Sequence, residues 1–133
     1  MPEEDPRADM THSVLIIDDE PGIVALCETA LGAAGYETGS ASDGAEALGI
    51  ITSTQFDLLI IDAVMPEMDG LELIRHVRRD WPALPVIVMS GAGDFSTYLR
   101  AGELLGATWT LVKPFPMADL ISAVDRALRK KSA

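Results

Sequence analysis

Apolar and polar positions along the chain fall into two alternating patterns. Runs of strand length, rich in Val, Ile and Leu and lacking polar alternation, occur at residues 14–17 (VLII), 58–61 (LLII), 86–89 (VIVM) and 109–112 (WTLV). Such runs are buried on both faces, as in a parallel sheet. A fifth candidate, residues 36–41, is mostly polar and suits an edge. Between the runs lie segments of helical period. Pro21 can start a helix that turns Ile23, Leu26, Ala30 and Leu31 inward, and Gly35 can close it in a left-handed conformation. Ser42 or Asp43 can cap a second helix carrying Ala47, Leu48 and Ile51, with Glu46 placed for a reciprocal bond to Asp43. Asp69 opens a third, with Leu71, Ile74 and Val77 inward, that must stop before Pro82. Phe95, Leu99, Leu104 and Leu105 suggest a fourth, weakened by Gly102. A fifth places Met117, Leu120, Ile121, Val124 and Leu128 on one stripe.

Five strands alternating with five helices predict an α/β fold: a doubly wound parallel sheet with right-handed crossovers and helices on both faces. The pattern is similar to that of flavodoxin-like sheets, and the expected strand order, 2-1-3-4-5, is taken over from them. At 133 residues the chain is long enough for one core. Residues 1–12 are acidic and polar, with Pro2 and Pro6 and no apolar period, and are expected to form a flexible tail. The domain is expected over residues 13–131.

Composition narrows the functional classes. Ten Lys and Arg against 21 Asp and Glu give a formal charge of -11, which repels nucleic acid and anionic lipid. The basic residues that do cluster, Arg126, Arg129, Lys130 and Lys131, fall where the last helix should end and complement its dipole. No apolar run reaches the roughly 18 residues of a membrane span, and no secretory segment opens the chain, so a soluble, cytoplasmic protein without membrane contact is expected. Cys27 is the single cysteine, which excludes an intrachain disulfide and a thiolate-rich metal site; its expected place is a helix face in the core. His12 and His76, in a tail and on a polar helix face, are expected to be solvated and not to carry phosphate.

In open α/β sheets ligands bind beyond the carboxyl ends of the strands. Asp18 and Asp19 follow the first run, Asp62 the third, Ser90 the fourth and Lys113 the fifth. Three carboxylates, a hydroxyl and an amine therefore converge on one edge. Each pair of carboxylates about 4 Å apart costs on the order of 4 kcal/mol at an effective dielectric of ~20, so positive charge must be present. Lys113 supplies part of it. With neither His nor Cys at these positions, an oxygen-preferring Mg²⁺ or Mn²⁺ is favoured over Zn²⁺ for the rest.

The stretches VLIIDDEPGI, LLIIDAVMPEMDG, VIVMSG and LVKPF resemble, in order and spacing, the receiver domains of two-component response regulators, over about residues 14–128. The resemblance implies that Asp62 takes a phosphoryl group from the phosphohistidine of a sensor kinase or histidine phosphotransfer protein, or from a small donor. It implies that Asp19 and Asp62 ligate Mg²⁺ directly, that Asp18 acts largely through water, and that the Val64 carbonyl completes the protein ligands. Ser90, Lys113 and the Gly91 backbone NH would hold phosphoryl oxygens, Pro66 and Gly70 would shape the loop after Asp62, and the Lys113–Pro114 bond would be cis. Beyond its own phosphorylation and dephosphorylation the domain would catalyse nothing. The face of the fourth helix, fifth strand and fifth helix is implied as the surface for a downstream protein or a homodimer.

Two departures from the family pattern bear on function. Thr110 stands where receivers usually carry the aromatic ring of their switch, and strand alternation points the adjacent Trp109 to the opposite face. Val64 and Ala92 occupy the positions that influence attack by water, and neither can orient it, so a long-lived acyl phosphate is expected. Three rival readings differ in class. An Asp-nucleophile phosphatase needs a second Asp where Val64 stands. A flavin carrier needs a phosphate loop where Asp18 and Asp19 would repel it. An interaction module that is never phosphorylated would have little use for the full set Asp18, Asp19, Asp62, Ser90 and Lys113. With no output domain after the fifth helix, either a single-domain regulator or a receiver from a longer chain is expected.

Overall fold

The computed structural model describes residues 11–65, 70–91 and 106–132. Its strands are β1 (Ser13–Ile17), β2 (Glu37–Ala41), β3 (Leu58–Asp62), β4 (Val86–Gly91) and β5 (Trp109–Lys113). They form one sheet in the order β2-β1-β3-β4-β5, every pairing parallel, as expected. The predicted fourth helix, the tail residues 1–10, Pro66 and Asp69 lie outside the described residues. Among those described there are four helices: α1 (Pro21–Ala33), α2 (Gly44–Ser53), α3 (Gly70–Asp80) and α4 (Met117–Ser132), the last being the fifth of the predicted set. None of them is long and apolar enough to cross a membrane.

Alternation along the inner strands divides the core into two layers. Leu15, Ile17, Leu59, Ile61, Val86 and Val88 pack with Ala47 and Ile51 of α2 and with Leu73, Ile74 and Val77 of α3. On the opposite face Val14, Ile16, Leu58, Ile60, Ile87 and Met89 meet Cys27 and Leu31 of α1 and Leu120, Val124 and Leu128 of α4. At roughly 1.5–3 kcal/mol for each fully buried aliphatic side chain, these two layers supply the main stabilising term. The edge strands are different. β2 is largely polar and solvent-facing, and on β5 the exposed Trp109 ring lies under the guanidinium of Arg126, 5.6 Å from its centroid. Arg126 thus serves a ring on the sheet edge, whereas the sequence had placed it at a helix terminus.

Local signals explain most of the boundaries. Pro21 stands in the first turn of α1. The helix ends in a Schellman arrangement, with Tyr36 N donating to Leu31 O at 3.0 Å, Gly35 N to Gly32 O at 3.1 Å, and Gly35 at φ 98°. Asp43 caps α2 by accepting from Glu46 N at 2.8 Å. The Glu46 carboxylate reaches back one residue further than expected, to Ser42 N at 3.3 Å. The inward stripes hold with two changes. Leu26 is 56% exposed, while Cys27 is buried in the core as expected; residues 23–27 are uniformly apolar and leave the rotational phase of α1 open. On α3, Leu73 is buried and Leu71 only partly so.

Candidate functional site

Strand register assembles the site at the carboxyl edge of the sheet. Ile17 of β1 pairs with Ile61 of β3, so Asp18 and Asp62, one residue further on, are neighbours. Asp18 N donates to Ala41 O at 3.1 Å, which extends the ladder and holds this residue against β2. On the other side Asp62 pairs with Met89, and Ser90 and Gly91 pair with Val112 and Lys113. All five predicted side chains, Asp18, Asp19, Asp62, Ser90 and Lys113, therefore arrive at one edge. Asp18, Asp62 and Ser90 are buried polar residues, while Asp19 is exposed.

The carboxylates of Asp18, Asp19 and Asp62 each present an oxygen within 4.8 Å of the others. Lys113 enters this group from β5. Its ammonium donates to Asp18 Oδ2 at 2.8 Å and lies 3.5 Å from Asp62 Oδ2. One cation among three carboxylates leaves net negative charge, and the donors are all oxygen. This set fits a hard divalent cation of the Mg²⁺ type.

The electrostatics follow from that crowding. Burial and the neighbouring Asp18 push the Asp62 carboxyl up to about 6, against the pull of Lys113 and of the Val64 NH, which donates to Asp62 Oδ1 at 3.3 Å. Burial draws the Lys113 amine down, but the hydrogen bond to Asp18 and the charges of Asp62, Asp18 and Glu20 outweigh it and hold the amine above its ordinary range. Burial, with Asp18 adding to it, raises the Cys27 thiol to about 11, as suits an inert core residue. The Lys113–Pro114 peptide bond is cis. Ser90 Oγ lies 3.5 Å from the Gly91 carbonyl, at the outer limit of a hydrogen bond.

Two features of the site go beyond what the motif implied. Gly70 opens α3 directly against the end of β3: its NH donates to Ala63 O at 3.1 Å, and a Cβ there would lie 2.1 Å from the Asp62 carbonyl oxygen and 2.7 Å from Ala63 Cα. Close approach, and not turn conformation, is what demands glycine. The second is Glu20, whose Oε1 lies 3.7 Å from Lys113 Nζ and whose NH donates to Asp18 Oδ1 at 2.9 Å. A third acid in succession, just before Pro21, was the available signal.

This parallel sheet with acids and a lysine at its carboxyl edge defines a receiver-type α/β domain. The family model described as "Response regulator receiver domain" matches residues 14–125, and the chain belongs to that family. Sporulation initiation phosphotransferase F of Bacillus subtilis is 33% identical over 123 residues, covering 92% of this chain and 98% of that protein. Transcriptional regulatory protein PrrA of Mycobacterium leprae is 37% identical over 120 residues, 90% of this chain; the chain spans about half of PrrA, 51% of its length. The crystal structure of Vibrio cholerae chemotaxis protein CheY4 aligns with a TM-score of 0.83 at 33% identity, covering 90% of this chain and 100% of that one.

Proposed function

We propose that the chain accepts a phosphoryl group on Asp62 in a two-component or phosphorelay system. The observation that carries this reading is the placement of Lys113 Nζ between Asp18 and Asp62, at 2.8 and 3.5 Å, within the oxygen cluster that Asp19 completes. A lone pair on Asp62 Oδ forms the new O–P bond as the P–N bond of a phosphohistidine breaks, and the electron pair leaves with the imidazole, which then takes up a proton. Lys113, freed from the carboxylates, receives one phosphoryl oxygen; the Ser90 hydroxyl and the Gly91 NH receive others. Such transfer needs little covalent help from the protein beyond position and charge. Asp19, Asp62 and the Val64 carbonyl, with Asp18 through water, would hold Mg²⁺, or Mn²⁺ in its place. When bound, the ion supplies Lewis-acid neutralisation of charge on the phosphoryl oxygens.

The phosphodonor partner on this reading is a sensor histidine kinase or a histidine phosphotransfer protein, in a cytoplasmic setting. The output is a changed affinity for a downstream protein through the face that includes β5 and α4. With Thr110 on β5, signalling relies on the segment after Ser90 more than on a rotating ring; equal partner affinity of both forms would refute any switch. Intact mass after incubation with acetyl phosphate tests the whole. One phosphoryl group is expected on the wild type with Mg²⁺, and none without Mg²⁺ or on Asp62→Ala. A folded, Mg²⁺-loaded wild type that never gains that mass would reject the proposal.

A further inference from the structure

We propose that Glu20 is a specificity-determining residue that disfavours small, freely diffusing anionic phosphodonors at Asp62; the inference rests on the phosphoacceptor reading above. Three carboxylates share Lys113 Nζ, but they are not equivalent. Asp18 at 2.8 Å and Asp62 at 3.5 Å are buried inside the site, whereas the Glu20 side chain, at 3.7 Å, is 64% exposed at its mouth. Glu20 occupies the N-cap position of α1, just ahead of Pro21, and makes no side-chain capping bond; its carboxylate faces Lys113. Its backbone is held in place by the NH that donates to Asp18 Oδ1 at 2.9 Å.

The adjoining groove, about 360 Å³, is lined by Ile23, Leu26, Pro114, Phe115 and Met117, with Lys113 as its one described cation. Among the described residues lining that groove, Lys113 alone offsets the Glu20 charge. An incoming anion must therefore pass a negative group that also occupies the ammonium it needs. The penalty scales with donor charge, because each unit of charge interacts separately with the same carboxylate.

The test compares initial rates of acyl-phosphate formation, by intact mass at saturating Mg²⁺, for wild type, Glu20→Gln and Glu20→Lys. Two donors are used: phosphoramidate, a monoanion near neutral pH, and acetyl phosphate, a dianion. From phosphoramidate the O–P bond to Asp62 forms as the P–N bond breaks and the electron pair leaves on the protonated nitrogen, as ammonia; from acetyl phosphate the P–O bond to the acetyl group breaks and the electron pair leaves on acetate. At low ionic strength Glu20→Gln should be faster by about 3-fold with the monoanion and by about the square of that, ~10-fold, with the dianion. Glu20→Lys should exceed both, and all ratios should shrink towards unity in about 0.5 M salt, where the screening length is a few ångströms. Equal ratios for the two donors, a rate change that salt does not reduce, or no change at all would overturn the assignment while leaving phosphorylation of Asp62 standing. A wild type that neither donor phosphorylates would overturn both.

Discussion

Gly70 is pressed so closely onto Asp62 that a methyl group on it would lie 2.1 Å from the Asp62 carbonyl oxygen. The contact is backbone against backbone, so neither side can turn aside as a flexible side chain could. Gly70→Ala must move either the start of α3 or the end of β3. We expect a loss of about 2 kcal/mol or more in urea unfolding, in line with other overpacked core sites. Acetyl phosphate should also label the folded variant far more slowly, since the shift displaces Asp62 from Lys113. A variant with the stability and labelling rate of the wild type would show that the approach is relaxed at no cost.

Asp62 is buried beside Asp18, and among the described residues Lys113 is the one cation that offsets the pair. Removing one of the two charges should relieve the metal-free protein. Asp62→Asn is expected to stabilise the fold by about 1–3 kcal/mol in buffer containing EDTA, the scale of one strained buried charge. Mg²⁺ should raise the midpoint of the wild type by mass action and have a much smaller effect on the variant. Chemical denaturation of both proteins, with and without Mg²⁺, measures this directly; equal Mg²⁺ responses would remove Asp62 from the ligand set.

Tyr36 donates its hydroxyl proton to Asp125 on α4, and the groups around it are Asp125, Arg129 and His12. Burial and the hydrogen bond to Asp125 raise the phenol well above its ordinary value near 10, against a smaller lowering by Arg129. A raised folded value means that the native state keeps this proton longer than the unfolded chain does. The stability it contributes is thus complete below pH ~10 and is lost as pH climbs towards the folded value. In an absorbance titration near 295 nm, one of the two tyrosines should ionise late, and Tyr36→Phe should delete that late phase.

Val64, 42% exposed two residues after Asp62, has no group with which to orient water. On the phosphoacceptor reading, a long-lived acyl phosphate is expected from this and from Ala92, which lies outside the described residues. Val64→Asn should shed phosphate several-fold faster, measured as decay of the phosphorylated mass after the donor is removed. Decay no faster than that of the parent would count against the influence of this position on attack by water.

Much of the molecule could be read from one-dimensional pattern. Short, β-branched aliphatic runs bounded by turn signals predict strands buried on both faces, since a fully buried helix would need a longer run. Pro21, Asp43 and Gly35 mark helix ends through fixed φ, a capping oxygen and a left-handed bond, all of which act within a few residues. The acids, Ser90 and Lys113 were legible as a group because each directly follows or ends such a run. The phase of α1 was not, since five apolar residues in succession look alike until a sheet selects Cys27 over Leu26.

Tertiary structure alone decided the relations that cross between segments. Strand order and register set Lys113 against Asp18 across 95 positions of chain. Gly70 lies on the Asp62 carbonyl, Arg126 over Trp109, and Glu20 turns from its helix end to the lysine. Periodicity and capping are local energies, summed along the backbone and visible in it. Distances between distant residues arise only when the two core layers pack and the sheet assembles, and that is where this protein's charge balance is set.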